Sequence, residues 1–219
     1  MQLIFIGSSM TKRNKSCESE VMLTMQRKEL LKKSAIRHAE YYGMVEVQDA
    51  LYADSANKKI FTDLISIIGS DANIKMAYRN LKSNKGSNTP GVDGKTFKDL
   101  AEMSEEALVR CVRDKILNYQ PKAVRRVYIP KPNGKMRPLG IPTVIDRIVQ
   151  QSVLQVMEPI CEAKFYRHSY GFRPNRSTKN AVAVCYKLAQ VDGFHYVVDV
   201  DIKGFFDNVD HGKLLKQIW

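Results

Sequence analysis

Between Lys58 and Asn84 the apolar positions fall three or four residues apart: Ile60, Phe61, Leu64, Ile67 and Ile68, then Ile74, Ala77, Tyr78 and Leu81. Such spacing predicts two helices, because side chains three and four apart share one helical face. Gly69-Ser70-Asp71 marks the break between them. The stretch K-G-S-N-T-P-G-V-D-G at 85–94 is a loop on its Gly, Pro, Asn and Asp content. A further helix is predicted from Ser104 to Leu117, with Ser104 as N-cap and Glu105-Glu106 facing the positive end of the helix dipole.

Beyond residue 120 the texture changes. Val124, Val127, Tyr128 and Ile129 read as one strand and Met136 to Ile141 as a second. Pro132-Asn133-Gly134 lies between them, and Asn-Gly is a strong hairpin signal because both residues tolerate positive φ. A long helix is predicted from Thr143 to Ala163, opened by a capping-box-like Thr143-x-x-Asp146 and lined by Ile145, Ile148, Val149, Ser152, Val153 and Val156. A Gly/Pro/Arg-rich turn at 169–177 leads to another helix, about Ser177 to Gln190. The strand His195–Ile202 and the start of a helix near His211 come last, that helix being cut at Trp219. Residues 1–57 are helix-prone, most clearly from Cys17 to Ala39, and read as an N-terminal helical extension. There are no internal repeats.

Composition sharpens this picture in two ways. At 44% hydrophobic residues the chain is globular rather than disordered. Its 35 Lys+Arg against 23 Asp+Glu leave a formal charge of +12, which favours a polyanionic partner through release of condensed counterions. Cys17, Cys111, Cys161 and Cys185 are scattered, with no C-x-x-C pair, so neither a zinc site nor a disulfide framework is expected. Each reads as a small buried apolar residue in a reducing compartment. The opening M-Q-L-I-F-I-G is a poor signal peptide, and no apolar run approaches the roughly 20 residues of a membrane span. A cytoplasmic protein is expected.

Three segments could carry chemistry. In Y-V-V-D-V-D-I-K-G-F-F-D-N-V-D-H (196–211), a β-branched strand runs into carboxylates that suit a hard divalent cation. Asp199 and Asp201 share a strand face, so spacing alone does not choose between them. In residues 125–142, Arg125, Arg126, Lys131, Lys135 and Arg137 lie on one predicted hairpin without an acid, a ribbon able to grip phosphates. An edge hairpin that uses Lys and Arg to block aggregation would look the same. In F-Y-R-H-S-Y-G-F-R-P-N-R-S-T-K (165–179), aromatics alternate with Arg167, Arg173 and Arg176 ahead of a helix N-terminus, which suits stacking plus phosphate contact. An aromatic-anchored loop with arginines in ordinary ion pairs is the structural alternative.

Taken together and in order, R-x-x-I-P-K-P-N-G-K-x-R-P-L-G-I-P-T-x-x-D-R, S-Y-G-F-R-P-N-R-S and D-I-K-G-F-F-D-N-V-D-H resemble consecutive blocks of the group II intron-encoded reverse transcriptase/maturase family. N-T-P-G-V-D-G resembles that family's extra N-terminal block, and the likeness runs from about residue 70 to 219. The resemblance implies an α+β fold: right-hand polymerase fingers over 58–190 and the first part of the palm over 191–219, preceded by the extension. It implies that Lys131 and Arg137 face the triphosphate of an incoming dNTP. Asp201 would be the first metal-binding aspartate of a two-Mg²⁺ site, joined by the backbone carbonyl of Ile202. Phe206, or Phe205 if the turn is read one residue out, would exclude a 2′-hydroxyl by volume. Arg125, Arg126, Arg173 and Arg176 would touch nucleic acid, and the 85–94 loop would cover a duplex of RNA template and DNA primer.

The chain departs from the family in lacking a thumb, a maturase domain and any endonuclease domain, and in one further respect. The second metal-binding block, Tyr-x-Asp-Asp, is absent, and no Asp-Asp pair occurs anywhere. One carboxylate cannot position two Mg²⁺ ions, which demand near-octahedral geometry. The expectation is therefore an RNA-directed DNA polymerase segment that is inactive alone, whether as a truncated gene, an incomplete sequence, or one half of a split protein completed by a missing C-terminal half. A non-catalytic RNA-binding remnant and a reverse transcriptase of a defence or diversity-generating system are the alternatives.

Overall fold

The computed structural model describes residues 37–132, 134–202, 204–205 and 208–218. The architecture is α+β, in two compact units that divide between Phe165 and Tyr166. Residues 1–36, Asn133 and Phe206 lie outside the described residues, and with them most of the expected extension and the first candidate for the sugar gate.

In the first unit, α1 (Met44–Ala56), α2 (Leu64–Ile68), α3 (Asp71–Lys82), α4 (Phe97–Leu100) and α5 (Glu105–Leu117) precede a hairpin of β1 (Arg125–Pro130) and β2 (Met136–Ile141). The unit closes with α6 (Val144–Glu162), against which α1, α2, α3 and α5 all pack. Sequence accounts for most boundaries. Ser104 and Thr143 each cap a helix by accepting the amide three residues on, as expected, and Ser70 caps α3 in the same way. The four-residue α4, not expected, is opened by a capping box between Thr96 and Asp99. The core joins Ile74 and Ala77 of α3, Val109 and Val112 of α5, and Val144 and Ile148 of α6. Fully burying a Val or Ile contributes about 1.5–3 kcal/mol each.

Two features tie α1 to α6. Pro159 sits inside α6 and has no N–H to give the carbonyl of Gln155, four residues back. Gln48 Nε2 of α1 donates to that carbonyl instead, at 3.1 Å. Near the end of α6, Ser55 Oγ donates to the Ile160 carbonyl at 2.8 Å, satisfying one of the last four acceptors of the helix. Residues 44–56 therefore belong to the same packed body as helices α2 to α6, and no break in compactness falls at 57/58.

A buried amide network crosses the α3–α6 contact. Asn73 Nδ2 donates to the carbonyls of Ile68 (2.9 Å) and Ser152 (3.0 Å). Gln155 Nε2 donates to Asn73 Oδ1 (2.7 Å), and Asn80 Nδ2 donates to Gln155 Oε1 (3.0 Å).

The second unit holds α7 (Thr178–Gln190), capped by Ser177, and α8 (His211–Ile218). The expected strand His195–Ile202 is not formed: these residues hold no regular secondary structure, with Val197 95% exposed. A strand needs a partner for its N–H and C=O groups, and the described residues contain no other strand in this unit. Cys111 and Cys185 are exposed, against the expectation that each cysteine is buried. No helix of the described residues is long and apolar enough to cross a membrane.

Candidate nucleic-acid interface

The hairpin pairs Arg125 with Ile141, Val127 with Leu139 and Ile129 with Arg137 on one face. The alternate pairs, Arg126 with Gly140, Tyr128 with Pro138 and Pro130 with Met136, occupy the other. Arg125 and Arg137 therefore share a face at opposite ends, about 13 Å apart along the strand direction, while Arg126 points the other way. The turn is longer than the Asn-Gly pair. Lys131 N–H donates to the Lys135 carbonyl (2.7 Å), Gly134 N–H donates to the Lys131 carbonyl (3.0 Å), and Gly134 takes φ +76°. Pro132 and a left-handed glycine suit a three-residue hairpin loop. Lys131, Lys135 and Arg137 are exposed around this tip.

Two arginines fasten the 85–94 loop behind the hairpin. Arg125 Nε donates to the Pro90 carbonyl at 3.0 Å. Arg147, in the first turn of α6, donates to the carbonyls of Gly86 (2.9 Å) and Thr89, and its guanidinium lies 5.9 Å from the Phe97 ring centre. Burial pulls Arg147 below its ordinary pKa, an effect that the nearby Asp93 opposes. Gly91 makes the seat possible, since a Cβ there would lie 2.7 Å from Thr143 Cα and 2.9 Å from the Pro142 carbonyl oxygen. Thr143 is itself held, because its hydroxyl donates to the buried Asp146 carboxylate at 2.7 Å. The loop is thus a fixed shelf beside the hairpin. Sequence reading missed the part played by Arg147, whose partners are backbone carbonyls about 60 residues away and leave no pattern.

In the second unit, Arg173 is only 8% exposed. Its guanidinium turns inward and donates to the carbonyls of Tyr166 (2.8 Å) and Ser169 (3.1 Å). Arg176 donates to the Arg167 carbonyl and lies 5.5 Å from the Tyr170 ring centre. Arg167 Nε donates to His168 Nε2 at 3.0 Å, and His168 stacks edge-on to Tyr166. Arg173 and Arg176 brace the aromatic loop through its carbonyls. Phe172 projects fully from it at φ +57°.

Asp199, Asp201 and Ile202 lie in the exposed segment, and Phe205 is exposed just beyond. Among the described residues no group of three or more His, Cys, Asp or Glu is placed to hold a metal ion. Oxygen donors suited to Mg²⁺ are present at Asp201, but the described residues do not complete a Mg²⁺ site.

Residues 129–219 match the model of the reverse transcriptase (RNA-dependent DNA polymerase) family. The chain is 45% identical over 148 residues to protein YkfC of Escherichia coli, a match that covers 65% of this chain and 38% of that protein. It is 41% identical over 141 residues to group II intron-encoded protein LtrA of Lactococcus lactis subsp. cremoris, covering 64% and 23%. An uncharacterized 91 kDa protein in a cob intron of Schizosaccharomyces pombe is 33% identical over 140 residues, covering 64% and 17%. The chain spans well under half the length of these curated relatives.

Proposed function

We propose, since the chain belongs to the group II intron-encoded reverse transcriptase family, that these 219 residues are the nucleic-acid-gripping part of an RNA-directed DNA polymerase serving intron splicing and mobility. Residues 58–190 act as the fingers, and residues 191–219 begin the palm. Its partners are intron RNA as template, a DNA primer and dNTPs. The observation that carries this reading is the acid-free cationic hairpin tip seated beside a clamped shelf at 85–94.

In this reading each residue has a distinct role. Lys131 and Arg137 meet the dNTP triphosphate, where charge-assisted hydrogen bonds stabilise phosphate charge. Arg126 and Arg176 contact the nucleic-acid backbone directly. Arg125 and Arg173 act through the loops they brace. Asp201 and the Ile202 carbonyl contribute to the family's Mg²⁺ site, with the remaining acids on a Tyr-x-Asp-Asp block that these residues lack. Phe206, with Phe205 as the alternative, bounds the sugar.

The test joins the 219 residues to a downstream segment carrying that block and measures primer extension on an RNA template. Extension that Asp201→Asn reduces by a factor of about 10³ or more, a size typical for loss of a key electrostatic group, is expected. Extension indifferent to Asp201, with RNA binding intact, would instead support the non-catalytic RNA-binding reading.

A further inference from the structure

The two faces of the hairpin are unlike. On one face Arg125, Val127 and Ile141 are half-buried, while Ile129, Arg137 and Leu139 are exposed. On the other, Arg126, Tyr128, Pro130, Met136, Pro138 and Gly140 are all exposed. We propose that this outer face is a stacking platform for unpaired bases of single-stranded nucleic acid, with Tyr128 as the stacking ring and Arg126 as the phosphate contact. The proposal rests on the reading that the chain handles nucleic acid and adds a second place where it does so, on the opposite side from Arg137.

Three observations support it. Tyr128 is 59% exposed on a regular strand, so its ring presents an open π-face instead of filling the core. Its surroundings are low and rigid: Pro138 is its cross-strand neighbour, and Gly140 has no side chain to rise above the sheet. A Cβ at Gly140 would meet Val124 Cγ2 at 2.9 Å, so the Val124 side chain takes the space a side chain there would need. The charge is of one sign, since no Asp or Glu occurs from Arg125 to Ile141. Arg126 sits two residues from Tyr128 on the same face, roughly 6–7 Å away along the strand, within one nucleotide's reach. An aromatic ring beside arginine on an acid-free surface fits a base and its phosphate. It fits an apolar protein surface poorly, because docking there would desolvate the Arg126 cation. A duplex cannot use the ring, because its bases already cover one another.

The experiment titrates the 219-residue chain with a single-stranded RNA of about 12 nucleotides carrying 2-aminopurine, within the site sizes of such platforms, and with a fully paired duplex of the same sequence. Tyr128→Ala is expected to weaken single-strand binding about tenfold and abolish the 2-aminopurine quenching, while duplex affinity stays within about twofold. Tyr128→Trp is expected to retain both single-strand affinity and quenching. Arg126→Gln is expected to make the salt dependence of single-strand binding shallower by about one phosphate's worth. The platform is overturned if Tyr128→Ala binds the single strand like wild type, or if it instead abolishes self-association of the chain in sedimentation. If the unaltered chain binds neither RNA, the nucleic-acid reading fails with it.

Discussion

Asn73→Ala is expected to destabilise the helical unit by about 3 kcal/mol, or roughly 6–12 °C in thermal midpoint for a chain of this size. Asn73 is 0% exposed and serves three partners at once: the carbonyls of Ile68 and Ser152, and the Gln155 amide. Removing its side chain leaves these groups short of hydrogen bonds where water does not reach, and each such loss costs about 1–3 kcal/mol. Gln155 keeps its bond to the Asn73 backbone carbonyl, at 3.1 Å, which limits the damage on that side. Asn73→Asp is a sharper form of the test, because it exchanges a donor facing two carbonyls for an acceptor. Burial would raise that carboxyl's folded pKa above its unfolded value, so the variant should gain stability as pH falls toward about 4. Urea denaturation at two pH values reads both effects. A loss below about 1 kcal/mol for alanine would mean that the network is not closed to solvent.

The second large effect is expected at Gly91. Alanine there brings a methyl group within 2.7–2.9 Å of backbone atoms of Pro142 and Thr143. Neither can swing aside, because Thr143 is pinned by its cap bonds to Asp146. Either the 85–94 loop lifts, losing the Arg125 and Arg147 anchors, or the start of α6 shifts. Overpacking of this kind costs about 2–3 kcal/mol. Trypsin should then cut at Lys85 or Lys95 at least several-fold faster than in the unaltered chain. Gly94→Ala is the control: its φ of +71° is strained for alanine, but nothing lies within 4 Å, so about 1 kcal/mol should be lost with the loop still seated.

What could be read from the sequence was local. Ser104 and Thr143 announced their helices because an N-cap depends only on the next three residues. The hairpin was equally plain, since Pro132 and Gly134 set the turn beside two β-rich runs. What could not be read was long-range. Helix α1 shows no clean apolar stripe, and its place is set by Gln48 and Ser55 reaching carbonyls of α6 more than 100 residues on. Arg125 and Arg173 read as nucleic-acid contacts and Arg147 carried no signal, but all three spend hydrogen bonds on carbonyls, whose positions exist only once the chain is folded. Thr96-x-x-Asp99 did carry a capping signal, yet a four-residue helix is too short for periodicity to register. The His195–Ile202 segment shows the converse. Its alternation is that of a strand, but a strand forms only against a partner, and none lies among the described residues of its unit.

That the hairpin tip grips a dNTP triphosphate through Lys131 and Arg137 is tested most directly by dNTP affinity as a function of salt. Fluorescence anisotropy of a labelled dNTP, from about 50 to 300 mM KCl, compares the 219-residue chain with a Lys131→Gln, Arg137→Gln double variant. If both cations meet the triphosphate, the variant should bind at least about tenfold more weakly at the lowest salt, and its affinity should depend less on salt. Equal affinities for the two proteins at every salt concentration would contradict it.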